Sequence, residues 1–196
     1  RLPHDKGVAE SRALFFYKGC VKMTRTAILV DGGFYRKRAA HLWGHKTAEH
    51  RAKELNAYCQ EHLKNMDGTV PRQLYRIFYY DCAPIGRRSI YHPLTQKNVD
   101  LDKSDTYTWT INFLEELKRR RKFALRLGEL SKQSYYNLRP DVTREILSGK
   151  KEISSLTEND FIFVAQQKGV DMRIGIDIAS LTYKKQVDQI ILIAGD

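Results

Sequence analysis

The chain has 196 residues, of which 42% are hydrophobic and 29% charged, so it can bury a core and is not a disordered chain throughout. Its formal net charge of +11 favours a polyanionic partner, with nucleic acid first and an anionic membrane surface second. No apolar run in the sequence approaches the roughly 20 residues that a membrane-spanning helix needs, and we expect no membrane span.

The three cysteines are odd in number, scattered, and without the Cys-X-X-Cys spacing of a structural zinc site. Such usage is typical of a reducing compartment, so we expect a cytoplasmic protein. Residues 1–22 show no convincing periodicity, and Met23 directly precedes the first strand pattern. We therefore expect residues 1–22 to be a leader outside the fold and residues 23–196 to form one domain.

The first predicted strand, Thr26–Asp31, is an apolar, β-branched run that ends in a carboxylate and is followed by Gly32 and Gly33. Such a run is typical of a buried strand in a parallel sheet. The glycines permit a sharp turn and leave open space beside Asp31. Ligands of open α/β sheets bind outside the carboxyl ends of the strands, which makes Asp31 a candidate site residue. The alternative is an aspartate that caps a following helix.

The rest of the chain alternates between strand and helix patterns. The predicted elements are a helix over about 47–64, an aromatic strand over 73–81, a long polar loop over 85–105, a helix over 107–117, a strand over 123–130, a polar insertion at about 131–160 with a short helix near 141–148, a short buried strand over 161–164, a helix running to about residue 185, and a last strand over 189–196. This alternation predicts an α/β fold with a mainly parallel sheet and right-handed crossovers.

Aspartates recur at the ends of these strands. Asp31, Asp81 and Asp196 each end a strand, and Asp171 lies in the first turn of a helix that leaves another strand at the same edge. Clustered carboxylates repel each other and resist ionisation unless they share a cation. Their hard oxygens favour Mg²⁺ or Mn²⁺, and paired ions of this kind hydrolyse phosphate esters. The alternative is that each aspartate caps its own helix.

Neighbours of Asp171 are further candidates. Asp177 follows six residues later, roughly 240° around a helix, so it does not share the face of Asp171 and is an outer or structural group. Gly175 does share that face and leaves room there. Lys168 precedes Asp171 in a turn, where it would neutralise a phosphate oxygen or simply remain solvated. Asp81 and Asp177 are kept as additional candidate metal ligands.

A basic run, Lys118–Lys122, ends the helix over 107–117. One or two bases suit a helix C-terminus through the macrodipole, but five in succession exceed what that requires and favour contact with phosphate groups. The candidate substrate-binding residues are therefore Lys168, Gly32, Gly33, Arg36, Arg119, Arg120 and Arg121.

Four stretches together resemble the NYN domain of the PIN-like nucleases, a family that includes LabA-like bacterial proteins. They are Val30–Phe34, Tyr79–Asp81, Lys168–Asp177 and Ala194–Asp196, and the third is the most specific. The resemblance covers roughly residues 23–196. It implies a three-layer α/β/α fold with PIN-like, Rossmann-like topology. It also implies a Mg²⁺- or Mn²⁺-dependent ribonuclease that acts on single-stranded RNA.

By this resemblance the family's acids fall on Asp31, Asp171 and Asp196, as catalytic residues and metal ligands. The sequence departs from the family at Phe34, where many relatives have Asn. The family also continues as Gly-Asp-Ser-Asp-Phe where this chain ends at the first aspartate, so we expect the C-terminal part of the fold to be truncated.

Other enzyme classes fit the motifs less well. A haloacid-dehalogenase-type phosphohydrolase needs a second acid two residues after its nucleophile, where this chain has Gly33. Neither a Gly-X-Gly-X-X-Gly turn nor a P-loop follows the first strand. A rival from a different class stays open: a catalytically weak RNA-binding or scaffolding module with the same fold. A homodimer is a candidate assembly.

Overall fold

The computed structural model describes residues 23–64, 71–86, 88–131 and 133–195, so the expected leader and Asp196 lie outside the described residues. Its strands are β1 (Thr24–Asp31), β2 (Arg72–Cys82), β3 (Ser89–His92), β4 (Lys97–Asp100), β5 (Phe123–Leu130), β6 (Tyr135–Leu138), β7 (Phe161–Val164), β8 (Gln167–Lys168) and β9 (Gln189–Ile193). Its helices are α1 (Gly32–Trp43), α2 (Ala48–Glu61), α3 (Asp105–Lys118), α4 (Pro140–Leu147) and α5 (Val170–Tyr183).

The central sheet has five strands in the order β8-β5-β2-β1-β9. Strands β5, β2, β1 and β9 are parallel, and β8 runs antiparallel to β5. The chain passes outward from β1 to β2 and β5, then returns to β9 on the other side of β1. The strand order therefore reverses between β1 and β9, which is the place where open α/β sheets bind ligands. The prediction of an α/β fold with a mainly parallel sheet is confirmed.

Helices cover both faces of this sheet. Ile28 and Val30 of β1 pack with α1, α2 and α3 on one face, whereas Ala27 and Leu29 pack with α5 on the other. All four side chains are fully buried. A strand that is covered on both faces has no polar side, which explains the unbroken apolar run of β1.

The structure corrects three element predictions. Helix α1 was not predicted, although Asp31 caps it and Tyr35 and Ala39 bury its inner face. The polar segment 85–105 is not a loop throughout, because it contains the antiparallel hairpin of β3 and β4. The segment 161–164 is a strand but not a buried one in the central sheet, since β7 pairs antiparallel with β6.

The two hairpins outside the central sheet, β3-β4 and β6-β7, pack together beyond the carboxyl ends of β2 and β5. The imidazole of His92 in β3 is buried between the ring of Tyr136 in β6, at 4.5 Å, and the ring of Phe161 in β7, at 5.0 Å.

The described helices include none long and apolar enough to cross a membrane.

Candidate functional site

A crevice of about 480 Å³ opens where the strand order reverses, between the ends of β1 and β9 and the first turns of α1 and α5. The residues in its lining that carry polar chemistry are Asp31, Lys37, Gln167 and Asp171. The structure thus brings together Asp31 and Asp171, which lie 140 positions apart in the sequence. We call this cavity the switch-point crevice.

Asp31 serves as a helix cap and lines the switch-point crevice at the same time. Its Oδ1 accepts a hydrogen bond from the backbone N–H of Phe34 at 3.1 Å, as an N-cap residue does. Its Oδ2 has no hydrogen bond or ion pair with any residue that the structure describes. The two interpretations of Asp31 are therefore compatible, because the cap occupies one oxygen and leaves the other.

Asp171 lies in the first turn of α5, the position predicted for it, and is exposed. Gly169 before the helix adopts a left-handed backbone with φ of 78°, which glycine accommodates without strain. The positive end of the helix dipole favours a carboxylate here. Within the described part of the chain, Asp171 has neither a hydrogen-bond partner nor an ion pair, so its charge is not offset by a neighbouring side chain.

Asp81 is buried and fully hydrogen-bonded. Its Oδ1 accepts from Arg36 Nη2 at 3.0 Å and from Cys82 N at 2.8 Å, and its Oδ2 accepts from Tyr79 Oη at 3.0 Å. Burial raises the pKa of Asp81 above its ordinary value; the Arg36 guanidinium opposes that rise, and the nearby Asp31 charge adds to it. Asp81 therefore holds Arg36 in place and does not line the switch-point crevice.

Asp177 belongs to an ion pair on the α5 face of the sheet. Its Oδ2 accepts from Tyr80 Oη at 2.8 Å and from Arg126 Nε at 2.9 Å. The Arg126 guanidinium also lies over the ring of Phe78, 5.1 Å from its centroid. This arrangement agrees with a structural role for Asp177, because its charge is already neutralised.

The candidate substrate-binding residues are spread over the molecule. Gly33 lines the switch-point crevice, Gly32 is buried in the first turn of α1, and Lys168 is exposed on β8 outside the crevice lining. The arginines 119–121 follow α3 at the amino edge of the sheet. Phe123, which follows these arginines, pairs with Ile77 of β2. Ile77 precedes Asp81 by four residues, so the arginines lie roughly 13 Å along the strand from the level of Asp81.

Sequence reasoning missed two residues of the switch-point crevice, Lys37 and Gln167. Lys37 follows Gly33 by four residues in α1, so the two share a helix face. Treating Asp31 as the cap of a helix would have found it. No such signal marks Gln167, whose position depends on the pairing of the two-residue strand β8 with Leu130 and Glu129 of β5.

The described residues include no group of three or more His, Cys, Asp or Glu side chains arranged to hold a metal ion. The third predicted acid, Asp196, is not among them. No protein-family model, curated protein or solved structure significantly matches the chain.

Proposed function

We propose that the chain is a divalent-metal-dependent nuclease with PIN-like topology that hydrolyses phosphodiester bonds of single-stranded RNA. One observation carries the proposal: Asp31 and Asp171, neither of them ion-paired to a described residue, line one crevice at the point where the strand order reverses. The formal net charge of +11 supports a polyanionic substrate. The motif resemblance supports the PIN-like assignment and the choice of RNA.

The donor chemistry of the switch-point crevice fits Mg²⁺ or Mn²⁺, since both unpaired groups supply hard carboxylate oxygens. Asp31 and Asp171 would hold the ion, with Asp196, the residue after Gly195, as the third ligand. A bound divalent cation would lower the pKa of a water molecule and offset charge on the phosphate oxygens.

The chain's own residues would position the substrate. The Phe34 N–H holds one oxygen of Asp31, so the carboxylate is fixed before anything binds. The ammonium group of Lys37 would attract a phosphate oxygen into the crevice, and the side-chain amide of Gln167 would donate a hydrogen bond beside it. These groups bind and orient a phosphodiester.

The alternative function is RNA binding without cleavage. The observation that favours it is the neutralisation of Asp81 by Arg36 and of Asp177 by Arg126. Only two of the four described candidate acids then keep an uncompensated charge. A binder would show salt-dependent affinity for RNA and no metal-dependent cleavage.

A cleavage assay on labelled single-stranded RNA, with Mg²⁺, Mn²⁺ or EDTA, tests the proposal. We expect cleavage with metal and a loss of at least about 100-fold in Asp31→Asn and Asp171→Asn, because an amide binds these cations weakly. Asparagine caps helices as well as aspartate does, so the first variant keeps the fold.

Asp141→Asn is the matched control, since Asp141 is also an exposed acid in the first turn of a helix, α4. Its cleavage rate should equal that of the unmodified chain. If the chain binds RNA but does not cleave it with either metal, the nuclease proposal is wrong and the chain is an RNA-binding module. Equal rates in all variants would show that the activity does not come from this crevice.

A further inference from the structure

A second cavity, of about 380 Å³, adjoins the switch-point crevice and shares Gln167 with it. Its base is formed by Cys82 at the end of β2 and Leu130 at the end of β5, and its outer wall by Tyr136 and Phe163 of the inserted strands β6 and β7. We call it the side pocket. Its lining is mainly apolar and aromatic, as expected of a pocket that receives a flat ring.

Arg36 lies at the edge of the side pocket in an ion pair with Asp81, which lines the pocket too. Asp81 holds it through Nη2 at 3.0 Å, while its buried Nε has no hydrogen-bond partner among the described residues. Arg36 also lines a neighbouring cavity of about 440 Å³ that contains His45, Lys46 and Arg51. That cavity also contains Asp105, and its Arg51 is ion-paired with Glu54, so the side pocket lies between the acidic switch-point crevice and a cavity of mixed charge.

The walls of the side pocket are held by packing within the chain. The ring of Tyr136 packs against Phe163 at 5.7 Å and against His92 at 4.5 Å. Tyr107, on the opposite side, lies so close to the loop after β2 that a Cβ on Gly86 would come within 2.8 Å of its hydroxyl oxygen. Side-chain and backbone contacts on both sides thus fix the width of the side pocket.

We propose that the side pocket binds an unpaired nucleobase next to the phosphate that is cleaved in the switch-point crevice, and that Arg36 contacts the phosphate on the far side of that base. This inference rests on the proposed function. Its support is the order of surfaces, in which apolar aromatic walls lie between the switch-point crevice and the guanidinium group of Arg36. Stacking on aromatic rings combined with cations along the backbone is how proteins hold single strands.

Phe163→Ala tests the base contact, and Ile162→Ala is its matched control. The two residues are adjacent in β7 and similarly exposed, at 37% and 41%, but only Phe163 lines the side pocket. Binding of a fluorescent single-stranded RNA is measured by anisotropy with EDTA present. We expect Phe163→Ala to weaken binding about tenfold and Ile162→Ala to change it less than about twofold.

Photochemical cross-linking of the unmodified chain to 5-iodouridine-containing RNA covers the case in which Phe163→Ala fails to fold. We expect adducts on Tyr136 or Phe163. Equal binding by the two variants, or cross-links confined to other segments, would overturn the inference while leaving cleavage intact. If the base contact is found but no cleavage occurs, the inference holds for a binding module and the nuclease proposal fails. Absence of any RNA binding overturns both.

Discussion

Gly32 shows how closely the first turn of α1 approaches the sheet. A Cβ at this position would lie 2.4 Å from both Cζ and Oη of Tyr79 and 2.7 Å from Oδ2 of Asp81. These two side chains are fully buried and hydrogen-bonded to each other, so neither can move aside. The glycine that the sequence suggested as a substrate contact is therefore required by packing, and its neighbour Gly33 is the one that borders the crevice.

Gly32→Ala should lower the free energy of unfolding by about 1–3 kcal/mol, the usual cost of inserting a methyl group into a filled core. Gly175→Ala is the control: a Cβ there meets nothing within 4 Å, and alanine should raise stability by about 0.5–1 kcal/mol inside a helix. Urea denaturation measures both. If both variants change the free energy of unfolding in the same direction, α1 does not approach the sheet as closely as described.

Asp177 and Asp171, six residues apart in α5, are expected to separate stability from activity. Asp177→Asn weakens the partly exposed ion pair with Arg126, so we expect the free energy of unfolding to fall by about 1 kcal/mol and metal-dependent cleavage to stay within about twofold of normal. Asp171→Asn should leave the free energy of unfolding nearly unchanged and abolish most of the metal-dependent cleavage. Thermal unfolding and initial cleavage rates of both variants test this distinction. A large loss of cleavage in Asp177→Asn would show that Asp177 is a metal ligand and not only a structural residue.

At the scale of elements, local patterns were informative where burial was complete. The run Ala27–Val30 predicts a core strand because both of its faces are covered. The equally apolar run Phe161–Val164 gave the same prediction wrongly, since Ile162 and Phe163 are 41% and 37% exposed on a hairpin. A short apolar run does not reveal whether its partner strand is in the main sheet.

Hydrogen bonds to Asp160 stabilise the insertion at residues 131–160, and the stability that they contribute depends on pH. The Asp160 carboxylate accepts hydrogen bonds from Lys151 Nζ at 2.7 Å and from the backbone and side chain of Thr157, and these lower its pKa to about 2. A carboxyl pKa that is lower in the folded state contributes stability above its unfolded value of 3.8, and this contribution is lost as the pH falls to about 2.

The unmodified chain should therefore be more stable than Asp160→Asn near neutral pH, and the difference should shrink between about pH 4 and pH 2. Thermal denaturation of both proteins across this range measures it. Because other carboxyl groups titrate in both proteins, the difference isolates Asp160. A difference that stays constant with pH would mean that the contacts with Lys151 and Thr157 do not lower the pKa of Asp160 in solution.

The sequence correctly indicates that Asp31 ends a strand, but it extends the last strand past the end of β9 at Ile193 and does not indicate which strands are neighbours. Asp31 and Asp171 share a crevice because β9 pairs with β1 and not with β5, and that pairing joins segments more than 150 residues apart. No local pattern encodes it. The same long-range order separates the basic run from the acids, although both were assigned to one substrate site.

This separation predicts that the basic run matters only for long RNA. Arg119 and Arg121 are exposed at the amino edge of the sheet, so a strand of about 3 nucleotides bound in the crevice should not reach them, whereas one of about 30 should. The double variant Arg119→Gln, Arg121→Gln should bind the short strand normally. For the long strand, the slope of log affinity against log salt should fall by about 1.4, since each lost contact on a single strand contributes about 0.7.

Arg120 is left unchanged in this variant because its Nε is buried, and its removal would disturb packing as well as charge. Among the described residues, Arg119 pairs with Glu116 in an exposed, weak salt bridge at 3.1 Å, so its loss should leave stability nearly unaltered. Anisotropy titrations with both RNA lengths at several salt concentrations make the comparison. Equal losses for short and long RNA would place the basic run beside the crevice, contrary to the sheet order, and no loss for either would leave it a solvated helix end.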